Sequence, residues 1–233
     1  MKDISALALL IKSSLYKILA LIVEMTIIEF FIFYYIIDKG QNFAESELMI
    51  TKAYIPYTFL AMLAIAFMVL CFSEKGLDKK SGYTIQRMRI SKKRFFVIKT
   101  IYNVFCIVLL FVVQTLVAIV LIRNHNVELI KGEHEYQQLF LAFYRNDFLH
   151  SLFPMAEVLR WIRNVLLVLA LGMQAAVSEK KSHVGDFCLI SLTVSWFSIG
   201  MGTSVMDVFC YIAYLIVIAV ALVRVFSDWS EED

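Results

Sequence analysis

The longest run without a charged side chain is TIYNVFCIVLLFVVQTLVAIVLI, residues 100–122. About 20 apolar residues in a helix cross the roughly 30 Å of hydrocarbon in a bilayer, so the length of this run predicts a membrane-spanning helix. A strand of a membrane β-barrel would be shorter and would alternate apolar with polar residues, and this run shows no such alternation. The stretch therefore indicates a helical membrane protein.

The rest of the chain repeats this pattern. Of its 233 residues, 61% are hydrophobic and 18% are charged, and the mean hydropathy is +0.75. These values are more apolar than those of a soluble domain of this size. We predict an all-α, polytopic membrane protein with a single transmembrane domain over residues 1–233. Its six predicted spans cover residues 18–37, 53–72, 100–122, 158–177, 184–199 and 203–226.

Residues 3–17 are predicted to form an N-terminal interfacial helix. Lys12 and Lys17 fall off an apolar stripe, as expected for a helix that lies along the membrane surface. The alternative is that this segment simply extends the first span. The stripe consists of Ile4, Leu7, Leu10, Ile11 and Leu15.

Lysine and arginine are distributed unevenly between the two sides of the predicted bundle. If the N-terminus is inside the cell, 15 of them lie on the cytoplasmic side and 7 on the other side. The positive-inside rule then places both termini and the loop 73–99 in the cytoplasm, and the loop 123–157 outside. The expected location is the plasma membrane of a bacterial cell, which the chain crosses several times.

Four charged residues inside predicted spans are candidates for a substrate path or gate. Glu24 and Glu29 lie near the middle of the first span, where each charge costs roughly 2.5–3.5 kcal/mol; an interhelical hydrogen bond or ion pair is the structural alternative for each. On a helix the two carboxylates point about 140° apart, which excludes one paired acid–base site. Arg160 and Arg163 begin the fourth span, and we expect them to reach the headgroups or, alternatively, to pair with Glu157 or an intramembrane carboxylate.

The loop 123–157 is the longest polar connection. Apolar side chains at helical spacing between Tyr136 and Leu152 predict an amphipathic helix at an interface, ended by Pro154. Three histidines share this loop with several acidic residues, but their spacing matches no metal-ligand pattern, so we predict no metal site. These histidines are His125, His134 and His150.

The segment before the longest apolar run is the most basic part of the chain. It reads CFSEKGLDKKSGYTIQRMRISKKRFFVIK, residues 71–99, and holds nine of the 22 lysines and arginines. Residues 83–89 can form a short helix with Ile85 and Met88 on one face, which suits a groove in a cytoplasmic partner. Lys92, Lys93 and Arg94 are expected to meet anionic headgroups, at about 1 kcal/mol each, and residues 92–99 are expected to fix the topology at the membrane surface. The alternative is that the whole segment only fixes the topology.

A motif in this segment resembles that of a known family. Glu74 ends a span, Gly76 follows, and after a polar stretch the chain reads RISKKRFF over residues 89–96, followed by Lys99. This order resembles the first cytoplasmic loop of ABC exporter permeases of the type-2 class, in which a coupling helix leads into a basic helix that enters the third span. The predicted architecture, with six spans, cytoplasmic termini and an N-terminal surface helix, also resembles that of this family.

The resemblance implies that the segment docks on a separate ABC ATPase subunit. It also implies an assembly of two ATPases and two permeases, the second permease being a further copy or a paralogue. ATP and Mg would belong to the ATPase, because this chain has no Walker-type glycine loop. The chain itself is expected to bind no cofactor and no nucleic acid. The implied ATPase-coupling residues are Glu74, Gly76, Gly82, Tyr83, Ile85, Arg87, Met88 and Arg89.

Three functions follow as hypotheses. The first is a non-catalytic permease subunit of an ATP-driven transporter in the lipid bilayer, exporting a hydrophobic, peptide or lipid-like substrate; antimicrobial peptide resistance is one role that such export could serve. The second is a non-transporting immunity or sensor protein that binds a peptide at residues 136–152. The third is an intramembrane enzyme built from Glu24, Glu29, Glu157 and the three histidines, but the chain lacks the adjacent glutamates and helically spaced histidines that such an enzyme would need.

Overall fold

A computed structural model of the chain describes residues 5, 7, 8, 10–38, 50, 51, 53–72, 91–129, 135–154, 157–177 and 204–230. Within these ranges the chain is helical and contains no strand. The α-helices in the described ranges are α1 Tyr16–Asp38, α2 Ile55–Phe72, α3 Lys92–Leu129, α4 Glu135–Arg145, α5 Asp147–Leu152, α6 Val158–Val177 and α7 Ser204–Ser230.

Four of these helices, α1, α3, α6 and α7, are long and apolar enough to cross a membrane. They coincide with the first, third, fourth and sixth predicted spans, and the shorter apolar helix α2 coincides with the second. The helical membrane character predicted from the sequence is therefore found. The fifth predicted span, residues 184–199, lies outside the described residues, so the number of six spans stays a prediction.

The N-terminal segment continues directly into the first span. A π-helix over Ile11–Leu15 runs into α1 with helical backbone angles at both of its ends. Leu10 and Ser14 are buried, and the hydroxyls of Ser14 and Tyr102 share a hydrogen bond of 2.7 Å. This part of the segment is packed on the bundle, as expected for an extension of the span; the interfacial helix is not confirmed.

Helix α3 is the longest element of the described chain. Its 38 residues correspond to about 57 Å at 1.5 Å per residue, well beyond the roughly 30 Å of a hydrocarbon core. It runs parallel to α1, because Tyr102 contacts Ser14 and Gln114 contacts Glu29. It also packs on α2, α4, α5 and α6, so it connects most parts of the bundle.

Helices α3 and α6 approach each other closely at Gly172. A methyl group built on Gly172 would lie 2.5 Å from Val104 Cγ2 and 3.2 Å from the Val104 backbone nitrogen. Asn103 Nδ2 donates a hydrogen bond to the Gly172 carbonyl oxygen at 3.3 Å. A small residue at this point lets the two backbones meet, which is a common way for helices to pack in a membrane.

Enlarging Gly172 is expected to destabilise the bundle. Gly172→Leu should lower the stability by about 1–3 kcal/mol, because the added atoms must displace α3. For Gly172→Ala the loss should be smaller, since alanine gains about 1 kcal/mol of helix propensity over glycine. Thermal unfolding of the purified protein in detergent measures both effects. The matched control is Ala219→Leu on the exposed face of α7; equal melting of Gly172→Leu and this control would contradict the close contact.

The loop after α3 folds into two helices, where the sequence predicted one. The break is at Asn146, whose side-chain oxygen accepts from the backbone N–H groups of Phe148 and Leu149, both at 3.1 Å. Asparagine is a favoured N-cap, so it starts α5 as α4 ends. Its Nδ2 donates to Thr51 Oγ1 at 3.0 Å, which ties the turn to the segment before α2.

Candidate functional site

A buried ion pair joins α6 to α7. Arg163 is 0% exposed and Asp207, at the start of α7, is 5% exposed. Arg163 Nη1 donates to Asp207 Oδ1 at 2.6 Å. Hydrogen bonds between ionised groups at this distance are among the strongest in proteins, so this contact ties the starts of the two helices together.

Two more charged groups extend the pair. Arg160 Nε lies 3.6 Å from Asp207 Oδ2 and 2.6 Å from Glu157 Oε2. Two guanidinium groups therefore face two carboxylates, and their formal charges cancel. We call these four residues, together with Ser151 and Asn164, the Arg163 cluster.

The neutral members of the Arg163 cluster bring in the end of α5. Arg163 Nη2 donates to the hydroxyl of Ser151 and lies 3.4 Å from its carbonyl oxygen. Asn164 Nδ2 donates to the same carbonyl oxygen at 2.8 Å, and its own Oδ1 accepts from Arg163 Nε at 3.4 Å. The cluster is thus the junction of α5, α6 and α7.

The geometry corrects the expectation that both arginines reach the headgroups. Arg163 is fully buried, because Asp207 supplies a counter-charge inside the protein. Arg160 pairs with Glu157 and approaches the same aspartate, which is the alternative that the sequence left open. Their side chains hold helices together at this end of the bundle.

Only one pair of the residues considered for an intramembrane enzyme comes together in the described chain. His150 Nε2 lies 3.4 Å from Glu157 Oε1, and the rings of His150 and Tyr144 form a T-shaped pair with centroids 5.8 Å apart. His134 lies outside the described residues. No group of three or more potential metal ligands occurs in the described ranges. A single pair of His150 and Glu157 is not enough to form the catalytic site of the hypothetical intramembrane enzyme.

A second buried polar site lies where α1, α2 and α3 meet. Glu29 is 0% exposed; its Oε2 accepts from Gln114 Nε2 at 3.1 Å and its Oε1 from Thr58 Oγ1 at 3.2 Å. Glu24 lies on the exposed face of α1. The prediction that the two glutamates do not form one site is therefore confirmed. The contacts of Glu29 are interhelical hydrogen bonds, which the sequence left open as a structural role for this residue.

The predicted coupling residues Glu74 to Arg89 lie outside the described residues, so their docking role stays a prediction. The structure does describe part of the basic stretch that follows. Lys93 and Arg94 are exposed, as expected of residues at a membrane surface, whereas Lys99 is 1% exposed. Lys99 therefore lies on the packed face of α3, whereas the sequence predicted that residues 92–99 fix the topology at the membrane surface.

The sequence reasoning missed Asp207, Gln114 and Ser151. A signal was present for the first two, because a polar side chain in an otherwise apolar span usually faces protein and finds a partner there. Asp207 is the only acidic residue of the run 203–226. Its pairing with Arg163, 44 positions away, depends on how α6 and α7 pack. This packing cannot be predicted from a local sequence pattern.

No family model, curated protein or solved structure matches this chain.

Proposed function

We propose that the chain is a permease subunit of an ATP-driven exporter, moved by a separate ATPase that docks on residues 74–89. The main support for the proposal is the position and the length of α3. This helix begins at Lys92, directly after the proposed docking segment, and continues without interruption for 38 residues. A continuous helix transmits displacement along its axis, so a movement of the docked segment reaches α6 and the α5 end of the bundle.

The six-span topology in the proposal is supported by the directions of α6 and α7. Arg163 and Asp207 place the starts of the two helices together, and α7 packs mainly on α6 through a buried face that includes Tyr214 and Ala221. The two helices therefore run in the same direction. Two parallel spans are expected to be separated by one antiparallel span, and this agrees with our proposal of a fifth span at 184–199.

The exposed position of Glu24 supports a second permease copy as partner. This carboxylate lies on the exposed face of α1, close to Val23 and Ile27 in the same concavity. A charge facing lipid near the middle of a span costs roughly 2.5–3.5 kcal/mol. Contact with another protein surface would remove that cost, so we place the permease–permease interface on this face of α1.

Affinity purification of the tagged chain from membranes of its native cell tests the ATPase proposal. We expect an ATPase subunit with a Walker motif to co-purify. Ile85→Asp together with Met88→Asp should remove it, because each buried apolar anchor of an interface is worth about 2 kcal/mol or more. Arg94→Gln is the matched control in the same basic stretch and should retain the ATPase. Association that survives the double aspartate variant would refute docking at residues 83–89.

The peptide-binding immunity or sensor function is the second candidate, and one observation favours it. Phe140 and Tyr144 on α4 are 51% and 60% exposed, and their rings stack with centroids 6.3 Å apart. Exposed aromatic pairs are typical of surfaces that bind peptides. This function needs no ATPase, so activity that persists in cells lacking every co-purifying ATPase would favour it over the permease.

A further inference from the structure

A narrow apolar groove runs between α3 and α6. It encloses a volume of about 420 Å³, which falls in the range of about 300–1,000 Å³ that is usual for ligand sites. Its α3 wall includes Val108, Val112 and Leu116, and its α6 wall includes Val165 and Leu169. All five side chains are more than a third exposed, so the groove is open along its side.

Both walls of the groove belong to helices that are long and apolar enough to cross a membrane, and the wall residues lie well inside those helices. Water gains little in such a space, because it needs polar partners and the lining offers almost none. An empty groove would leave its walls without van der Waals contacts on one side. Hydrocarbon is therefore the chemistry that fits.

The length of the groove matches a single lipid chain. Val104 and Leu116 both line it, and 12 residues of α-helix separate them by about 18 Å, close to the roughly 15 Å of one hydrocarbon leaflet. Because the groove is open along its side, a flexible chain can enter it from the bilayer without separating the two helices.

One end of the groove is marked by aromatic side chains. Phe153 and Trp161 both line it, next to the Arg163 cluster, with their ring centroids 5.5 Å apart. Tryptophan is enriched where hydrocarbon meets headgroups. Asn164, a member of the cluster, also lines the groove. This end is therefore the headgroup end, and the other end lies deeper among valines of α3.

We propose that the groove holds one acyl chain of a bilayer lipid, taken from the leaflet on the side of the Arg163 cluster. The site does not select the headgroup by charge, because Arg160 and Arg163 at its end already face Glu157 and Asp207. Recognition is by the hydrocarbon chain. The proposal does not depend on the permease function, since it concerns only the fit of a chain between two helices.

A photoreactive lipid tests the site. The protein is reconstituted in vesicles that contain a small fraction of phosphatidylcholine with a diazirine in one acyl chain, and after irradiation the labelled peptides are located by mass spectrometry. We expect the label to concentrate on residues 104–116 and 161–169. Val112→Trp should reduce this labelling by about fivefold or more, because the indole fills the groove.

Two comparisons make the test specific. Ile216→Trp, on the exposed face of α7, is the matched control and should leave the labelling of the groove unchanged. Replacing phosphatidylcholine by phosphatidylglycerol with the same chain should change it by less than about twofold, because the formal charges of the Arg163 cluster at the headgroup end cancel. If Val112→Trp fails to fold, Leu169→Trp fills the same groove from α6.

The proposal fails on any of three results. The first is label spread evenly over the exposed faces of α1, α3, α6 and α7 in the unaltered protein. The second is groove labelling that neither tryptophan variant reduces. The third is labelling that follows the charge of the headgroup.

Discussion

Asp207→Asn is expected to lower the stability of the bundle by about 3–5 kcal/mol, the usual effect of removing one partner of a buried ion pair. The amide can still accept one hydrogen bond from Arg163, but it cannot balance a guanidinium that is 0% exposed. Arg160, 3.6 Å from the same aspartate, keeps Glu157 as its partner. Thermal unfolding in detergent, followed by the fraction of protein that stays monodisperse, measures the loss.

A double variant separates the charge imbalance from the loss of the contact. Arg163→Met with Asp207→Leu removes both charges, and apolar replacement of a buried pair is often neutral or stabilising. We therefore expect it to melt well above Asp207→Asn. Asp147→Asn, an exposed acid in the first turn of α5, should change the stability by less than about 1 kcal/mol. Equal melting of Asp207→Asn and Asp147→Asn would show that the pair does not hold α7.

Gln114→Leu is the second substitution with a large expected effect. It removes the amide that donates to Glu29 Oε2 at 3.1 Å and leaves Thr58 as the donor at 3.2 Å. Loss of this partner of the buried Glu29 side chain should destabilise the contact between α1, α2 and α3 by about 1–3 kcal/mol. The same thermal unfolding assay measures the change, and Thr115→Val, which removes only a contact to the Phe111 carbonyl oxygen within α3, is its control.

Substitutions of Glu29 itself distinguish a structural role from a role in transport. Glu29→Gln should change the stability only slightly. The Oε1 atom of Gln114 has no hydrogen-bond partner, and after rotation of the Gln114 amide it can accept from the new amide at position 29. Glu29→Leu with Gln114→Leu should recover most of the stability lost in Gln114→Leu alone, since two apolar partners leave no polar group unsatisfied. Transport that falls in Glu29→Gln while the melting stays unchanged would instead assign Glu29 to the substrate path.

The sequence was sufficient for the helical membrane character and for the positions of most spans. Helix α3 could be located because a run of 23 residues without charge has few other stable structures in a bilayer. The same reasoning separated Glu24 from Glu29, since their angle on a helix follows from five positions of spacing. Features of this kind depend on residues that are near one another in the chain.

The Arg163 cluster and the groove between α3 and α6 could not be predicted in this way. Arg163, Asp207 and Ser151 come from three helices, and their meeting depends on which face each helix presents to the others. The groove depends further on a gap between two packed surfaces, which changes with a single side chain such as Val104. Even a local feature was missed at Asn146. The apolar spacing continues through this residue and predicted one helix, but its side chain caps α5 and divides that helix in two.

We propose that residues 83–89 meet an ATPase and that α3 conveys the movement of that contact into the bundle. Site-specific photo-crosslinking in living cells tests the contact most directly, with a benzophenone amino acid at position 85 or at position 97. Val97 is exposed on α3, about one and a half turns after the start of the helix at Lys92, and serves as the control outside the proposed docking segment. We expect a cross-linked product at position 85 that contains a Walker-motif subunit, and no such product at position 97. A position 85 product that contains only lipid or a second copy of the chain would contradict this proposal.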